Sequence, residues 1–361
     1  MDVVLNADRP LTEAELVAVA RHAAPVELSD GCLDRLAAAR AHVDALAAGT
    51  VPAYGISTGF GALATKHIPT ELRAQLQRSL VRSHAAGSGP EVEREVVRSL
   101  MLLRLSTLAT GRTGVRAEVA ETYASMLNAG ITPVVHEYGS LGCSGDLAPL
   151  AHCALAAMGE GPVRTRDGEL TDAATALRDT GITPLVLAEK EGLALINGTD
   201  GMLGMLVLAI HDLRRLLTTA DITASMSVEG LLGTDDPFAA DLQALRPHPG
   251  QAAAAANMRI LMRDSGIRES HRTEDCTRVQ DAYSLRCAPR HSRPRRPGGR
   301  LGARGRHRQP RRDARRSRRV QRQLPRRSGR LRPRLPRHRR RRRREHVRAA
   351  HRPVPRPGPQ P

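Results

Sequence analysis

The amino-acid composition changes abruptly at about Arg290, and this break limits what the chain can fold into. The segment from His291 to Pro361 holds 29 arginines, no lysine and only two acidic residues, which gives it a formal charge of +27. It has few apolar side chains, so it cannot bury enough surface to offset the entropy that ordering would cost. We therefore expect disorder over 290–361 and a folded body within residues 1–289.

Without this tail the chain is an acidic protein with ample material for a core. Residues 1–290 carry 27 basic and 35 acidic residues, a net charge of −8, whereas the whole chain carries +19. A charge of +19 would by itself indicate nucleic acid or an anionic membrane as a partner. Because that charge belongs wholly to the tail, we expect nucleic acid as a partner only if the tail is functional.

Cysteine usage and the start of the chain bear on its compartment. The five cysteines are odd in number and form no Cys-x-x-Cys pair, which argues against a disulfide framework or a thiolate metal site. The N-terminus lacks the features of a signal peptide, and the longest apolar run, near Met202–Ile210, is too short to span a bilayer. We expect a cytoplasmic protein with no metal and no membrane partner.

Helical periodicity dominates the body and predicts a mainly α fold. Apolar residues recur at helical spacing in several segments, which are 11–24, 33–48, 71–84, 115–129, 201–230 and 251–263. Pro90 predicts the start of a further helix, because proline is favoured at the first helical position. Polar residues over 160–185 indicate a short excursion such as a hairpin. The apolar segment 201–230 is typical of a helix buried in a bundle or an oligomer core.

The triplet Cys143-Ser144-Gly145 carries a specific chemical possibility. A sharp bend there would let the Gly145 amide nitrogen attack the Cys143 carbonyl carbon, and glycine permits the approach because it lacks Cβ. Loss of water closes a ring, and loss of the Ser144 hydroxyl as a second water leaves an exocyclic methylene, a strong electrophile. By itself, the triplet is more often an ordinary turn before a Leu-rich helix.

Four segments resemble, in the same order, signature segments of the aromatic amino acid ammonia-lyase family. They are the loop Tyr54–Gly61, the triplet segment Gly139–Leu150, the Asn-Gly-Thr segment Leu195–Thr199, and Val279–Cys287. The family's triplet is usually Ala-Ser-Gly, and Cys143 is a tolerable departure because its side chain is not consumed. The resemblance implies an electrophile, 4-methylidene-imidazol-5-one, formed from Cys143-Ser144-Gly145 with no external cofactor.

The resemblance also implies the organisation of the chain. The fold would be a long-helix bundle of the ammonia-lyase and fumarase type, truncated, with a disordered basic tail. An N-terminal domain, 1–200, would carry the Tyr-Gly loop and the triplet, and 201–289 would begin the central helical bundle. The resemblance stops after Pro289, although the family continues with further long helices. A frameshift in a GC-rich gene would produce a tail of this composition, and we expect the 361-residue chain to be inactive or nearly so.

The pair Ser83-His84 bears on the substrate. Histidine-specific members of the family carry Ser-His there, whereas members acting on phenylalanine or tyrosine usually carry an aromatic residue or His followed by Leu. The resemblance implies a carbon–nitrogen lyase that eliminates ammonia from L-histidine to give trans-urocanate, the first step of histidine degradation. His84 would hydrogen-bond the substrate imidazole, whose nitrogens an apolar pocket would leave unpaired. By itself, His84 reads as a histidine at a helix end.

Further residues receive roles from the resemblance. Tyr54 would remove the β-proton, although a phenol with a pKa of about 10 needs help near neutrality. Tyr283 would assist the electrophile or a proton transfer, and Arg286 would pair with the substrate carboxylate. Asn197 and Gln280 would hold the ring carbonyl and the substrate by hydrogen bonds. Without the resemblance, Arg286 reads as half of a surface ion pair and Tyr283 as a half-buried core residue.

Two residues near the triplet receive structural interpretations. Asp146 is expected to cap the helix that follows it, and His152 is expected to be a core histidine whose hydrogen bonds are satisfied.

Several alternatives stay open. The function could be that of another aromatic amino acid ammonia-lyase or of an aminomutase, which uses the same electrophile. The tail could bind nucleic acid through Arg339–Arg344, although it lacks aromatic residues for stacking on bases. A catalytically inactive relative with a structural role is a third reading. The resemblance implies a homotetramer whose sites combine residues from several subunits.

Overall fold

The computed structural model describes residues 2–141 and 145–272. The predictions made for Cys143, Ser144, Gln280, Tyr283 and Arg286, and for the tail 290–361, lie outside the described residues. The proposed division at residues 200 and 289 stays a prediction.

Within the described residues the chain is mainly α-helical, as predicted. The helices are α1 (Glu13–His22), α2 (Asp30–Ala48), α3 (Thr70–His84), α4 (Arg94–Ala109), α5 (Ala117–Ala129), α6 (Leu147–Ala157), α7 (Ala173–Asp179), α8 (Glu191–Ile196), α9 (Asp200–Gly230), α10 (Ala240–Ala244), α11 (Pro249–Leu261) and α12 (Gly266–Glu269). The strands are β1 (Val3–Leu5), β2 (Val26–Leu28), β3 (Ser88–Glu91), β4 (Thr132–Pro133), β5 (His136–Tyr138), β6 (Pro162–Arg164) and β7 (Leu170–Asp172).

The strands form three small sheets beside the helices. Strand β1 pairs in parallel with β2, β3 pairs antiparallel with β5, and β6 lies between β4 and β7 with antiparallel pairing on both sides. The hairpin of β6 and β7 with α7 accounts for the polar excursion predicted over 160–185. Val3, Leu5, Val26 and Val163 of these strands are buried in the large core, most of which is helical.

The helix predicted to begin at Pro90 is wrong. Pro90 lies in β3, opposite β5, and helix α4 begins only at Arg94, after Glu93 in extended conformation. The sheet of β3 and β5 has two strands, so each has an unpaired edge. Proline is tolerated on an edge strand because its missing N–H leaves no ladder bond unmade. Pairing with a strand more than 40 residues away therefore outweighs the local preference for a helix start.

Helix α4 is the centre of the large core. Its residues from Val96 to Leu105 are all buried, and it packs against α1, α5 and α9. A helix that is buried all round has its neighbours on every face. One arginine of this helix, Arg98, bonds only backbone carbonyls, those of Val19 and Leu127, and burial and nearby arginines lower its pKa to about 10.

Helix α9 is only partly buried within this chain. Its first half joins the large core through Val207 and Leu208, but Leu216 and Met226 are each 64% exposed. Together α8 and α9, Glu191–Gly230, are long and apolar enough to cross a membrane by length and composition, with 44% of the apolar window buried in the protein. The core helix of a water-soluble protein passes the same test.

Candidate active site

Tyr54 lies in a glycine-rich loop that packs against helix α8. The phenol oxygen of Tyr54 accepts a hydrogen bond from the N–H of Gly61 at 3.2 Å, and its ring meets that of Phe60 edge to face at 6.1 Å. Gly55 has φ +72°, and a Cβ there would lie 3.0 Å from both Leu193 and Phe60. The loop therefore needs glycine to fit against α8. The Tyr54 side chain is 50% exposed.

Gln77 joins this loop to α8 and was not singled out in the sequence. It is fully buried on α3, where its Oε1 accepts from the N–H of Gly192 at 3.0 Å and its Nε2 donates to the carbonyl of Gly55 at 3.5 Å. Nothing in the sequence distinguishes it from the exposed Gln75 on the same helix. A buried amide with partners on two segments fixes their spacing, because breaking either bond leaves a buried polar group unpaired.

Gly145, the last residue of the predicted electrophile triplet, packs against the Asn-Gly-Thr segment. It has φ +127°, and a Cβ at this position would overlap the carbonyl group of Gly198. The next residue, Asp146, donates its N–H to the carbonyl of Gly198 at 2.6 Å. Two of the four segments singled out in the sequence thus meet backbone to backbone. Only glycine fits at this contact.

A buried ion pair holds the turn between α8 and α9 that carries Asn197. Arg104 of α4 pairs with Asp200, and both side chains are almost fully buried. The Nη1 atom of Arg104 also donates to the carbonyls of Ala194 and Asn197, at 2.9 and 3.3 Å. A Cβ on Gly198 would overlap the Arg104 guanidinium. The backbone at Asn197 is therefore fixed by a side chain from the centre of the core.

Asp146 caps a different helix from the one predicted. Its carboxylate makes no capping bond to α6, which begins at the next residue. Instead Oδ2 accepts from the N–H of Met202 in the first turn of α9 at 3.0 Å, and Oδ1 accepts from the Ser140 hydroxyl at 2.6 Å. The prediction was wrong because α9 comes close enough to compete for the carboxylate, and a first-turn N–H needs such an acceptor.

His84 ends helix α3, where its ring is half-buried. Its Nδ1 lies 2.9 Å from the Leu80 carbonyl and 3.0 Å from the Ser83 hydroxyl. The described residues provide no hydrogen-bond partner for its Nε2. The position fits the interpretation of a histidine at a helix end, and it leaves one ring nitrogen available to a ligand.

The sequence analysis expected His152 to be a core histidine, but in the structure it is half-buried on α6. Its Nε2 accepts from the N–H of Gly87 at 3.1 Å, and its ring meets that of His136 at 5.7 Å. Burial, and then the proximity of His136, lowers the pKa of His152.

A cavity of about 170 Å³ lies between α4 and the first turn of α9. Its walls are mostly apolar, with Ser140 and Asp146 at one side. Tyr54, His84 and Asn197 are not among its lining residues. Among the described residues, no group of three or more His, Cys, Asp or Glu side chains is arranged to hold a metal ion.

Comparison with known proteins identifies relatives of this chain. Residues 11–294 match the family model of the aromatic amino acid lyases. The histidine ammonia-lyase of Streptomyces griseus is 63% identical over 289 residues, which are 80% of this chain and 56% of the relative. That of Sorangium cellulosum is 49% identical over 284 residues, 78% of this chain and 55% of the relative. The chain thus spans little more than half the length of these relatives.

Solved structures agree on the fold. The histidine ammonia-lyase of Trypanosoma cruzi superposes with a TM-score of 0.69 at 35% identity, covering 80% of this chain and 52% of that one. The tyrosine aminomutase of Streptomyces globisporus gives a TM-score of 0.72 at 37% identity, covering 80% and 57%. The motif segments, their contacts and the match over 11–294 lead to one conclusion: the chain belongs to the aromatic amino acid lyase family.

Proposed function

We propose that this chain carries part of the active site of a histidine ammonia-lyase, which eliminates ammonia from L-histidine to give trans-urocanate. The observation that carries the proposal is the contact of Gly145 with Gly198. It joins the end of the triplet to the segment of Asn197, and both segments belong to the site in the family that the chain resembles. The similarity to histidine ammonia-lyases at up to 63% identity supports histidine as the substrate.

The residues present fit an electrophile formed from the chain itself. Gly145 has the left-handed backbone and the lack of Cβ that a ring closed through its nitrogen needs, and the N–H of Asp146 is anchored next to it. The group 4-methylidene-imidazol-5-one, formed from Cys143-Ser144-Gly145, supplies an electrophile that takes up the substrate amine and makes it a better leaving group. No external cofactor is needed for this chemistry.

The other residues act on the substrate itself. His84 offers its Nε2 to the substrate imidazole, and Asn197 holds the substrate by its side-chain amide. Tyr54 accepts the β-proton, and its half-exposed phenol lies on the glycine-rich loop, from which it reaches the substrate. We further propose that Tyr283 assists proton transfer.

Binding of the rest of the substrate falls to residues further along the chain. Arg286 pairs with the carboxylate through a two-pronged contact, and Gln280 donates a hydrogen bond to the substrate.

Substrate choice does not follow from the fold, because aminomutases share it. Tyrosine aminomutase superposes on this chain about as well as histidine ammonia-lyase does. His84 favours histidine, since a polar partner for an imidazole discriminates strongly against a ring that lacks nitrogens. The products separate the candidates: a lyase releases ammonia and urocanate, whereas an aminomutase gives a β-amino acid.

The proposed assembly and location rest on surface exposure and cysteine usage. The exposed apolar side chains of α9, such as Leu216 and Met226, favour a homotetramer built around this helix. The cysteine pattern favours the cytoplasm. Nucleic acid becomes a partner only if the Arg-rich tail is genuine.

The test begins with the coding DNA across codons 280–300, translated in all three frames. If another frame continues as helix-patterned sequence, the corrected chain is expected to form urocanate from L-histidine, followed by its ultraviolet absorbance. Tyr54→Phe should abolish this activity, whereas Tyr138→Phe, at a side chain that is 64% exposed, should not. A β-amino acid product, or no conversion by the corrected chain, contradicts the proposal. The 361-residue chain is expected to be inactive or nearly so.

A further inference from the structure

Two histidines hold the segment that follows His84. One precedes the triplet Cys143-Ser144-Gly145 in the sequence, and the other follows it. Gly87 donates its N–H to Nε2 of His152 at 3.1 Å, and the carbonyl of Gly89 accepts from Nδ1 of His136 at 2.9 Å. His136 lies in β5, before the triplet, and His152 lies in α6, which follows it. The two rings meet edge to face at 5.7 Å. Because the two rings are in contact, His136 and His152 anchor the segment together.

The anchored segment has little space to move. A Cβ on Gly87 would lie 3.0 Å from Nε2 of His152 and 3.4 Å from Cβ of His136. On the other side, a Cβ on Gly139 would lie 3.3 Å from Cα of Gly87. Neither glycine has room for a side chain, so Gly87 packs closely between the His152 ring and Gly139, and a displaced His152 ring would displace Gly87 as well.

Gly87 is linked to His84 by a short and constrained piece of chain. The N–H of Ala86 donates to the carbonyl of His84 at 2.8 Å, which closes a tight turn directly after helix α3. The ring of His84 is itself held against Leu80. A shift of Gly87 therefore reaches His84 through only two intervening residues.

The hydrogen bond also fixes the protonation state of His152. A backbone N–H can only donate, so Nε2 must be unprotonated and Nδ1 must carry the proton. Burial, and then the proximity of His136, lowers the pKa of His152, which favours the neutral ring that can accept. Helix α6, which holds this ring, begins two residues after Gly145.

We propose that His152 is a positioning residue that sets the place of His84 relative to Gly145, and thereby the tightness with which the site binds the ring of its substrate. The part about the substrate rests on the proposed function, because it takes His84 to contact an imidazole. His152 itself touches no substrate in this proposal. It acts through the N–H of Gly87.

The proposal is tested with three variants of the whole chain. His152→Leu removes the acceptor and keeps the bulk, His152→Gln keeps an acceptor oxygen, and His42→Leu is a control on an exposed face of α2. Amide exchange of residues 84–89 is read by mass spectrometry. His152→Leu should raise it about tenfold, as expected for one lost hydrogen bond, while His152→Gln and His42→Leu match the parent. Unchanged exchange in His152→Leu, or an equal rise in helix α4, overturns the proposal.

A measurement on the unaltered chain guards against a variant that fails to fold. The nitrogen chemical shifts of the His152 ring should show the proton on Nδ1 at neutral pH. A proton on Nε2 overturns the proposal, because that nitrogen could not then accept from Gly87.

Turnover separates this proposal from the proposed function. In the frame-corrected chain, with L-histidine as substrate, His152→Leu should raise KM about tenfold with little change in kcat, and His152→Gln should keep the parent KM. A lower kcat at unchanged KM overturns the role in substrate binding. If no form of the frame-corrected chain, parent included, turns over L-histidine, the proposed function is contradicted. The amide exchange of residues 84–89 and the protonation of the His152 ring then test by themselves whether His152 anchors Gly87.

Discussion

Two regions of the described chain differ in how completely they are packed. In residues 2–210, here the proximal region, one large core surrounds α4, and Leu100, Met101 and Leu105 are almost inaccessible. In residues 211–272, the distal region, the second half of α9 and the helices after it share a core of only five fully buried apolar residues. All described residues of the candidate site lie in the proximal region. The contacts described for these residues also lie within that region.

The largest effect is expected where the site meets the proximal core. Gly145→Ala forces a side chain into a left-handed backbone and against the Gly198 carbonyl, and should lower the free energy of unfolding by about 4 kcal/mol. Gly168→Ala is the matched control, because Gly168 has φ +88° but no atom near its Cβ position. It should cost about 1 kcal/mol, from backbone strain alone. Urea denaturation measures both, and equal losses would contradict the tight contact at Gly145.

Ion pairs offer a second comparison of the regions. Asp200→Asn leaves the guanidinium of Arg104 buried without its charge partner, and should cost about 3 kcal/mol. In the distal region, Asp235 bonds Arg268 and Arg272 nearer to solvent. Asp235→Asn should cost about 1 kcal/mol, because water screens and replaces part of the interaction. Denaturation midpoints at one ionic strength give the comparison, and a larger loss at Asp235 would reverse the ranking.

A pair of buried methionines tests whether the two cores open together. Met101 and Met258 are both almost inaccessible, but Met101 belongs to the large core and Met258 to the small one. Each Met→Ala change should cost about 2 kcal/mol where it acts. Met258→Ala should speed amide exchange in α11 and leave α4 at the parent rate, since small cores open sub-globally. Faster exchange in α4 as well would show a single cooperative unit.

The sequence predicted the existence of most helices, and it failed where distant segments compete. Continuous periodic segments such as 71–84 and 201–230 correspond to α3 and α9, because the apolar spacing of a helix involves only residues that are near in sequence. Pro90 and Asp146 were assigned to the nearest helix and belong instead to a strand pair and to α9. Both errors have one cause: a partner far away in sequence offers the better hydrogen bonds.

The candidate site was predicted in part. Tyr54, His84, Gly145 and Asn197 were singled out through motif segments and stay predictions as site residues, and the contact of Gly145 with Gly198 joins two of those segments. Gln77, Arg104 and His152 hold the site in place, yet no local signal marks their partners. In the sequence, Arg104 is marked only as a charged residue within an apolar helix. That pattern does not show whether its side chain is buried or exposed.

The smallest expected effect is a difference in pH dependence between the regions. Burial and His136 lower the pKa of His152 below its ordinary 6.5, so its contribution to stability is present above that pH and falls as the pH drops towards the folded value. Burial raises the pKa of Asp235, but hydrogen bonds from Arg268 and Arg272 together lower it by more, to below 3.8. Its contribution is present above 3.8 and is lost as the pH falls through the folded value.

The two contributions should therefore disappear in separate pH ranges. Between about pH 7 and pH 5, His152→Gln should flatten the fall in unfolding free energy relative to the parent, and Asp235→Asn should leave it unchanged. Unfolding by urea at a series of pH values measures the difference. If Asp235→Asn changes the fall in unfolding free energy in that range and His152→Gln does not, the prediction is wrong and the titrating group belongs to the distal region.

The most direct test of the central claim is the mass of one peptide. Trypsin releases residues 117–164, which contain the triplet and no internal lysine or arginine. If the proximal region builds the electrophile from Cys143-Ser144-Gly145, this peptide from the purified chain should be lighter than its sequence by two water molecules. The same peptide from Ser144→Ala should not show that loss. A peptide of full mass from the folded, unaltered chain would contradict the claim that the proximal region builds the electrophile.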